Sequence, residues 1–239
     1  MVERTEIVIL GASSLKAALT EAASAYSRTH DDIAITLSFD ASSALRTKIE
    51  QGEPADFFAS ADVTNAQKLV DDGFAIGPAV PFAGNQLAVV VPRGNPAHVV
   101  TPADLAKPGL RLIAAGGSVP ITVYADQLLT ALGHQPGYPA DFAQRVVANV
   151  ASREDNVAAV LAKVALGEGD AGIVYRTDVL SSSSVSEVPL PPGVNVVVTY
   201  AAVVVKGSTQ PDAARAFLEW LSGSQGQAIL GRLGFTAPP

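Results

Sequence analysis

The 239-residue chain contains no cysteine. That excludes disulfide staples, thiolate-bound metals and a thiol nucleophile; it is compatible with an oxidising compartment without requiring one. Basic residues are few. Sixteen of them against 23 acidic residues leave a net charge of −7, and no stretch is strongly basic. Nucleic acid and anionic membrane surfaces are therefore poor partners. No apolar run approaches the roughly 20 residues that a membrane helix needs. No basic-then-apolar leader precedes the first strand pattern, which begins almost at Met1. Such a start reads either as that of a cytosolic protein or as that of an exported one trimmed at Met1. Histidine occurs three times, at His30, His98 and His134, each in a polar or Pro/Gly-rich turn, and all three read as surface residues. With no base placed beside a serine and no G-x-S-x-G elbow, a serine hydrolase is the weaker reading.

What is present is an alternation of strand and helix patterns. Hydrophobic residues make up 48% of the chain, enough for real cores in one large domain or two small lobes. Leu15, Ala18, Leu19, Ala22, Ala23 and Tyr26 fall on one helical face, followed by a strand from Ile33 to Phe39. A helix from about Ala44 stops at Gly52, Ala55 to Ala59 reads as a buried strand, and a helix from Val63 to Val70 closes at Gly73. Strands at Leu87–Val91 and Leu110–Ala114 precede a helix that opens at Val119-Pro120 and is capped by Gly133. Val157, Val160, Leu161 and Val164 mark another helix before the buried strand Ala171–Tyr175. Ser181–Ser184 reads as a polar turn, Val194–Val205 as a long strand region and Ala214 to Leu221 as a helix, with a last short helix ending near Gly231–Gly234. This is the pattern of mostly parallel sheets covered by helices.

Two corners repeat a theme. Ile7–Leu10 runs into Gly11-Ala12-Ser13-Ser14, and Leu37–Phe39 runs into Asp40-Ala41-Ser42-Ser43. Each is a strand ending in small hydroxyl residues at a helix start, where unpaired N–H groups and partial positive charge attract anions. Two more helix starts follow Gly116–Thr122 and Ser152–Asn156. Four such starts suit one ligand outside the carboxyl ends of the strands.

In order, FDASSALRTKIEQGEPADFFASAD at Phe39–Asp62, ASSL at Ala12–Leu15, SVP at Ser118–Pro120, AGIVY at Ala171–Tyr175 and the terminal Gly234-Phe235 resemble the molybdate-binding proteins of ABC-type importers, a branch of the two-lobed periplasmic binding proteins. The resemblance runs nearly end to end. It implies two α/β lobes, residues 1–82 with 201–239 and residues 83–200, hinged by two crossings, with the ligand in the interlobe cleft. It further implies a monomeric extracytoplasmic protein, lipid-anchored or not, that hands molybdate or tungstate to a membrane permease and uses no cofactor. Carried over position by position, the oxyanion ligands are the hydroxyls of Ser14 and Ser42, the backbone N–H groups of Ile121 and Val157, and the hydroxyl of Tyr175. Ser13, Ser43 and Thr122 are neighbouring alternatives.

The chemistry of these positions agrees. Molybdate, tungstate and sulfate are fully deprotonated dianions at neutral pH, so a matching site contains donors only. Monohydrogen phosphate favours a site with an acceptor, and the only nearby acids, Glu154 and Asp155, read as helix caps; carboxylates facing the cleft would reopen phosphate. Asp56 and Asp62 flank a strand without the further ligands that a metal cation needs, and they read as caps. An amino-acid site would want an acid and an arginine; Arg46, Arg93 and Arg176 are available, and Arg46 reads as solvated. A regulator's effector lobe would carry a DNA-binding module, and none is appended.

Overall fold

Alternating runs of apolar and helix-forming residues become nine strands and nine α-helices in a computed structural model that describes residues 4–238. The chain divides into two units. The first runs to Asn85 and resumes at Thr199; the second is Gln86–Val198.

In the first unit β1 (Thr5–Ala12) leads through a 3₁₀ turn (Ser13–Leu15) into α1 (Lys16–Ser27), followed by β2 (Ile33–Asp40), α2 (Ser42–Glu50), β3 (Phe57–Ser60) and α3 (Val63–Asp71). β1 pairs in parallel with both β2 and β3. β4 (Ala75–Pro92) then carries the chain across the first unit boundary. The sequence shows only the apolar half of this strand, Leu87–Val91; its earlier half, AIGPAVPF, is half-exposed and rich in turn-formers.

The second unit continues with β5 (Leu112–Ala115), α4 (Pro120–Gly133), α5 (Phe142–Ala148), β6 (Val150–Glu154), α6 (Val157–Ala165), β7 (Ala171–Tyr175), the short α7 (Arg176–Leu180) and β8 (Val185–Val188). β5 pairs in parallel with β6 and β7, while β4 pairs antiparallel with β7 and β8. Two expectations are corrected here, and one helix is added to them. Ser152–Glu154 is the end of a strand rather than a capping loop. Gly133 is the last residue of α4, and His134 is its cap. The helix α5 was not legible, because seven residues carry too little periodicity to stand out.

β9 (Val197–Val205) returns the chain to the first unit, where it pairs antiparallel with β3, and α8 (Pro211–Ser222) and α9 (Ser224–Arg232) complete the fold. The first unit's sheet is apolar on both faces, as parallel sheets under helices are. Leu10, Phe58 and Val203 pack with Leu45 and Ile49 of α2 and Leu69 of α3. On the other face Phe57 meets Phe217 of α8 edge-on at 5.5 Å, and Phe217 meets Tyr26 of α1 at 5.2 Å. In the second unit Gly172 makes the close approach possible. A Cβ there would lie 3.0 Å from the Ile113 carbonyl oxygen and 3.1 Å from Val160, so the glycine lets α6 settle on β7. Among the described residues no helix is long and apolar enough to cross a membrane.

Candidate functional site

Parallel pairing brings the first unit's corners to one edge. Ala12 pairs with Asp40, so the turn carrying Ser14 and the start of α2 at Ser42 lie just past the carboxyl ends of adjacent strands. Neither serine caps a helix. Ala41 is the α2 N-cap, and no side chain caps either helix start. Both serines are instead buried, Ser14 at 7% and Ser42 at 1% exposure, and buried hydroxyls require partners.

The partners are specific. Ser42 Oγ accepts a hydrogen bond from the Ala61 N–H at 2.9 Å. Ala61 is held in turn by a buried network in which the Ser60 hydroxyl donates to Asp62 at 2.9 Å and Asp62 caps α3 through the Asn65 N–H at 2.8 Å. Asn65 accepts from Arg46 Nε at 3.0 Å, and Arg46 is ion-paired with Glu50. Arg46 is thus a largely buried strut rather than the solvated side chain expected: it ties α2 to α3. Ser14 Oγ lies 3.0 Å from the Tyr200 hydroxyl on β9, which also receives the Asn85 side-chain amide at 3.2 Å. The alternatives Ser13 and Ser43 are half-buried.

The second unit repeats the arrangement. β5, β6 and β7 run in parallel, so the start of α4, the start of α6 and Tyr175 share their carboxyl edge. Ile121 and Val157 are buried in the first turns of helices of 14 and nine residues. At those positions the backbone N–H has no intrahelical acceptor. Asn156 caps α6 by accepting the Ala159 N–H at 3.0 Å. Thr122, the neighbouring alternative, turns its hydroxyl back to the Gly116 carbonyl at 2.7 Å and closes the loop before α4. Tyr175 ends β7, is 1% exposed, and donates its N–H to Asp178 at 3.1 Å. Burial pushes the Asp178 carboxyl up to about 7, only partly offset by that N–H.

The acids near α6 are not its caps. Glu154 accepts from the Ser152 hydroxyl at 2.5 Å and pairs with Lys163 at 2.8 Å, and the Lys163 ammonium holds its carboxyl below the usual range. Asp155 is exposed. Asp62 is a cap as expected. Asp56 is instead a clasp, accepting from the Val8 N–H at 2.7 Å and from the Ser208 hydroxyl at 2.5 Å. Among the described residues no three or more His, Asp or Glu side chains gather as a cation site. His98 and His134 are exposed, whereas His30 is half-buried and stacks on Tyr26 at 3.9 Å.

Known proteins share this fold. The molybdate-binding protein ModA of Mycobacterium tuberculosis is 34% identical over 233 residues, spanning 97% of this chain and 85% of that protein. ModA of Escherichia coli is 30% identical over 248 residues, spanning 99% and 91%. The fold matches the periplasmic molybdate-binding protein of Azotobacter vinelandii with a TM-score of 0.80 at 24% identity, covering 98% of this chain and 100% of that one. It also matches the sulfate-binding protein SubI of Mycobacterium tuberculosis with a TM-score of 0.85 at 21% identity, covering 98% and 87%. The family model for the bacterial extracellular solute-binding proteins matches residues 7–236, and the chain belongs to that family.

Proposed function

We propose that this protein captures a tetrahedral oxyanion, molybdate and with it tungstate, outside the cytoplasm and delivers it as a monomer to the permease of an ABC importer. The hydroxyls of Ser14, Ser42 and Tyr175 and the N–H groups of Ile121 and Val157 are the ligands. The observation that carries this reading is the polarity of Ser42. Its oxygen is already an acceptor for the Ala61 N–H, and among the described residues no acceptor takes its proton. A hydroxyl held in this way is a donor for an incoming anion. The N–H groups at the starts of α4 and α6 have the same polarity. The molybdate-binding relatives support the choice of ligand.

The commitment of Glu154 to Lys163 and Ser152 supports a fully deprotonated anion over monohydrogen phosphate. Phosphate brings a proton that needs an acceptor, and Oε1 of this carboxylate is already shared by the Lys163 ammonium and the Ser152 hydroxyl.

Thermal melting with molybdate, tungstate, sulfate and phosphate tests the reading. A ligand bound only by the folded state adds about 2.7 kcal/mol of stability at a hundredfold excess over Kd. Molybdate and tungstate are expected to raise Tm at micromolar concentration, with sulfate weaker and phosphate without effect. A shift with phosphate alone, or with none of the four, overturns the proposal.

A further inference from the structure

Tyr200 is fully buried on β9, 186 residues from Ser14 in sequence, yet its hydroxyl lies 3.0 Å from Ser14 Oγ. Asn85, 1% exposed on β4, presents its side-chain Nδ2 to the same phenol oxygen at 3.2 Å. An amide nitrogen only donates. The phenol oxygen therefore accepts from Asn85; between the two hydroxyls the geometry admits a donor on either side, and a hydroxyl whose oxygen already accepts is polarised toward donating. A serine oxygen that receives the phenol proton is in the same state as Ser42, whose oxygen receives the Ala61 N–H. The two serines then match in polarity although different groups orient them, one by a backbone amide and the other by a side-chain pair.

We propose that Tyr200 is a positioning residue for oxyanion binding: held by the Asn85 amide, its hydroxyl donates to Ser14 Oγ and commits the Ser14 proton to the bound anion. The inference rests on the oxyanion reading given above and adds two residues to it, neither of which touches the ligand. Without the phenol proton the Ser14 hydroxyl is free to rotate. Ordering it again on binding then opposes affinity.

Tyr200→Phe removes only the hydroxyl. The ring keeps its edge contacts with Phe82 at 6.4 Å and Phe235 at 5.5 Å. The test is a double-mutant cycle by titration calorimetry with molybdate on wild type, Tyr200→Phe, Ser14→Ala and the double variant. The wild-type titration is run first and carries the oxyanion reading by itself. Tyr200→Phe is expected to weaken molybdate binding about three- to tenfold in the wild-type background, the range for one neutral hydrogen bond, and to change nothing further in the Ser14→Ala background. A merely structural tyrosine would weaken both backgrounds equally. Equal weakening, or wild-type affinity in Tyr200→Phe, overturns the inference while leaving the oxyanion reading intact. Should Tyr200→Phe fold poorly, Asn85→Leu leaves both hydroxyls in place and is expected to weaken binding only where Ser14 is present; equal weakening in both backgrounds counts against the inference in the same way.

Discussion

The Ser42 hydroxyl oxygen accepts the Ala61 N–H at 2.9 Å, joining the start of α2 to the end of β3 inside the first unit's core. In the site proposed above this one side chain has two duties, to satisfy a buried backbone donor and to present its own proton to the anion. Ser42→Ala is expected to show both. Unfolding in urea without ligand should record a loss of about 1–3 kcal/mol, because the Ala61 N–H is left buried and unpaired. Titration with molybdate should record a further loss of roughly 1.5–3 kcal/mol in affinity, the range for a hydrogen bond to a charged group. Ser14→Ala should match it in affinity. Unchanged affinity in both variants would place the ligand elsewhere.

Asp62 holds the loop that supplies the Ala61 N–H. It accepts from Ser60, from the Asn65 N–H and from the Asn65 side chain. Asp62→Ala removes the α3 cap and leaves buried donors unpaired, and it should lower stability by about 1–3 kcal/mol. Its effect on molybdate affinity should be smaller than that of Ser42→Ala, because it acts on the ligand only through the loop. Asp71→Ala is the control: its carboxylate accepts from Gln67 on the exposed side of α3, and removing it should change the unfolding free energy by no more than about 0.5 kcal/mol.

The alternation of strands and helices was legible in the sequence because parallel strands buried on both faces read as unbroken apolar runs. The small-residue corners were legible too, since Gly-Ala-Ser-Ser after a strand leaves little but a tight turn into a helix. The partners of the serines were not. Ser42 sits at a helix start, where serine commonly caps, yet its oxygen bonds a residue 19 positions away. Ser14 meets a tyrosine 186 positions away. Sheet register decides such contacts, and local pattern does not carry it. One signal did exist: Tyr200 is a lone phenol inside the apolar run from Val197 to Val205, and a buried phenol needs a polar partner. Glu154 and Arg46 were misread for a related reason. Each is engaged by an element that spacing alone does not bring beside it.

Gly11 sits at the end of β1, three residues before Ser14, paired with Phe39 and Ala59. A Cβ there would lie 2.5 Å from Leu19 Cδ1 and 3.1 Å from the Phe39 ring. Leu19 is fully buried and has little room to yield. Gly11→Ala should therefore push α1 off the sheet and lower stability by about 1–3 kcal/mol, as overpacking does. Because α1 follows directly from the turn bearing Ser14, molybdate affinity should fall as well. A urea midpoint and a Kd that both match wild type would show that the packing at this corner is looser than these distances state.

Asp178 gives the stability a pH dependence of defined sign. Burial raises its folded pKa from 3.8 to about 7, with the Tyr175 N–H opposing. Between those values the folded state holds a proton that the unfolded state has released, so through this group stability is highest in acid and is lost as pH rises toward 7 and beyond. Asp178→Asn keeps an acceptor for the Tyr175 N–H and removes the charge. Its Tm relative to wild type should accordingly be more favourable at pH 8 than at pH 5. Each pKa unit corresponds to about 1.4 kcal/mol, and each kcal/mol to about 2–4 °C in a chain of this size. Melting curves of both proteins at pH 5, 6, 7 and 8 measure the difference directly. A constant offset across that range would mean that Asp178 stays ionised in the folded state, with more water or more donors around its carboxylate than the single Tyr175 N–H provides.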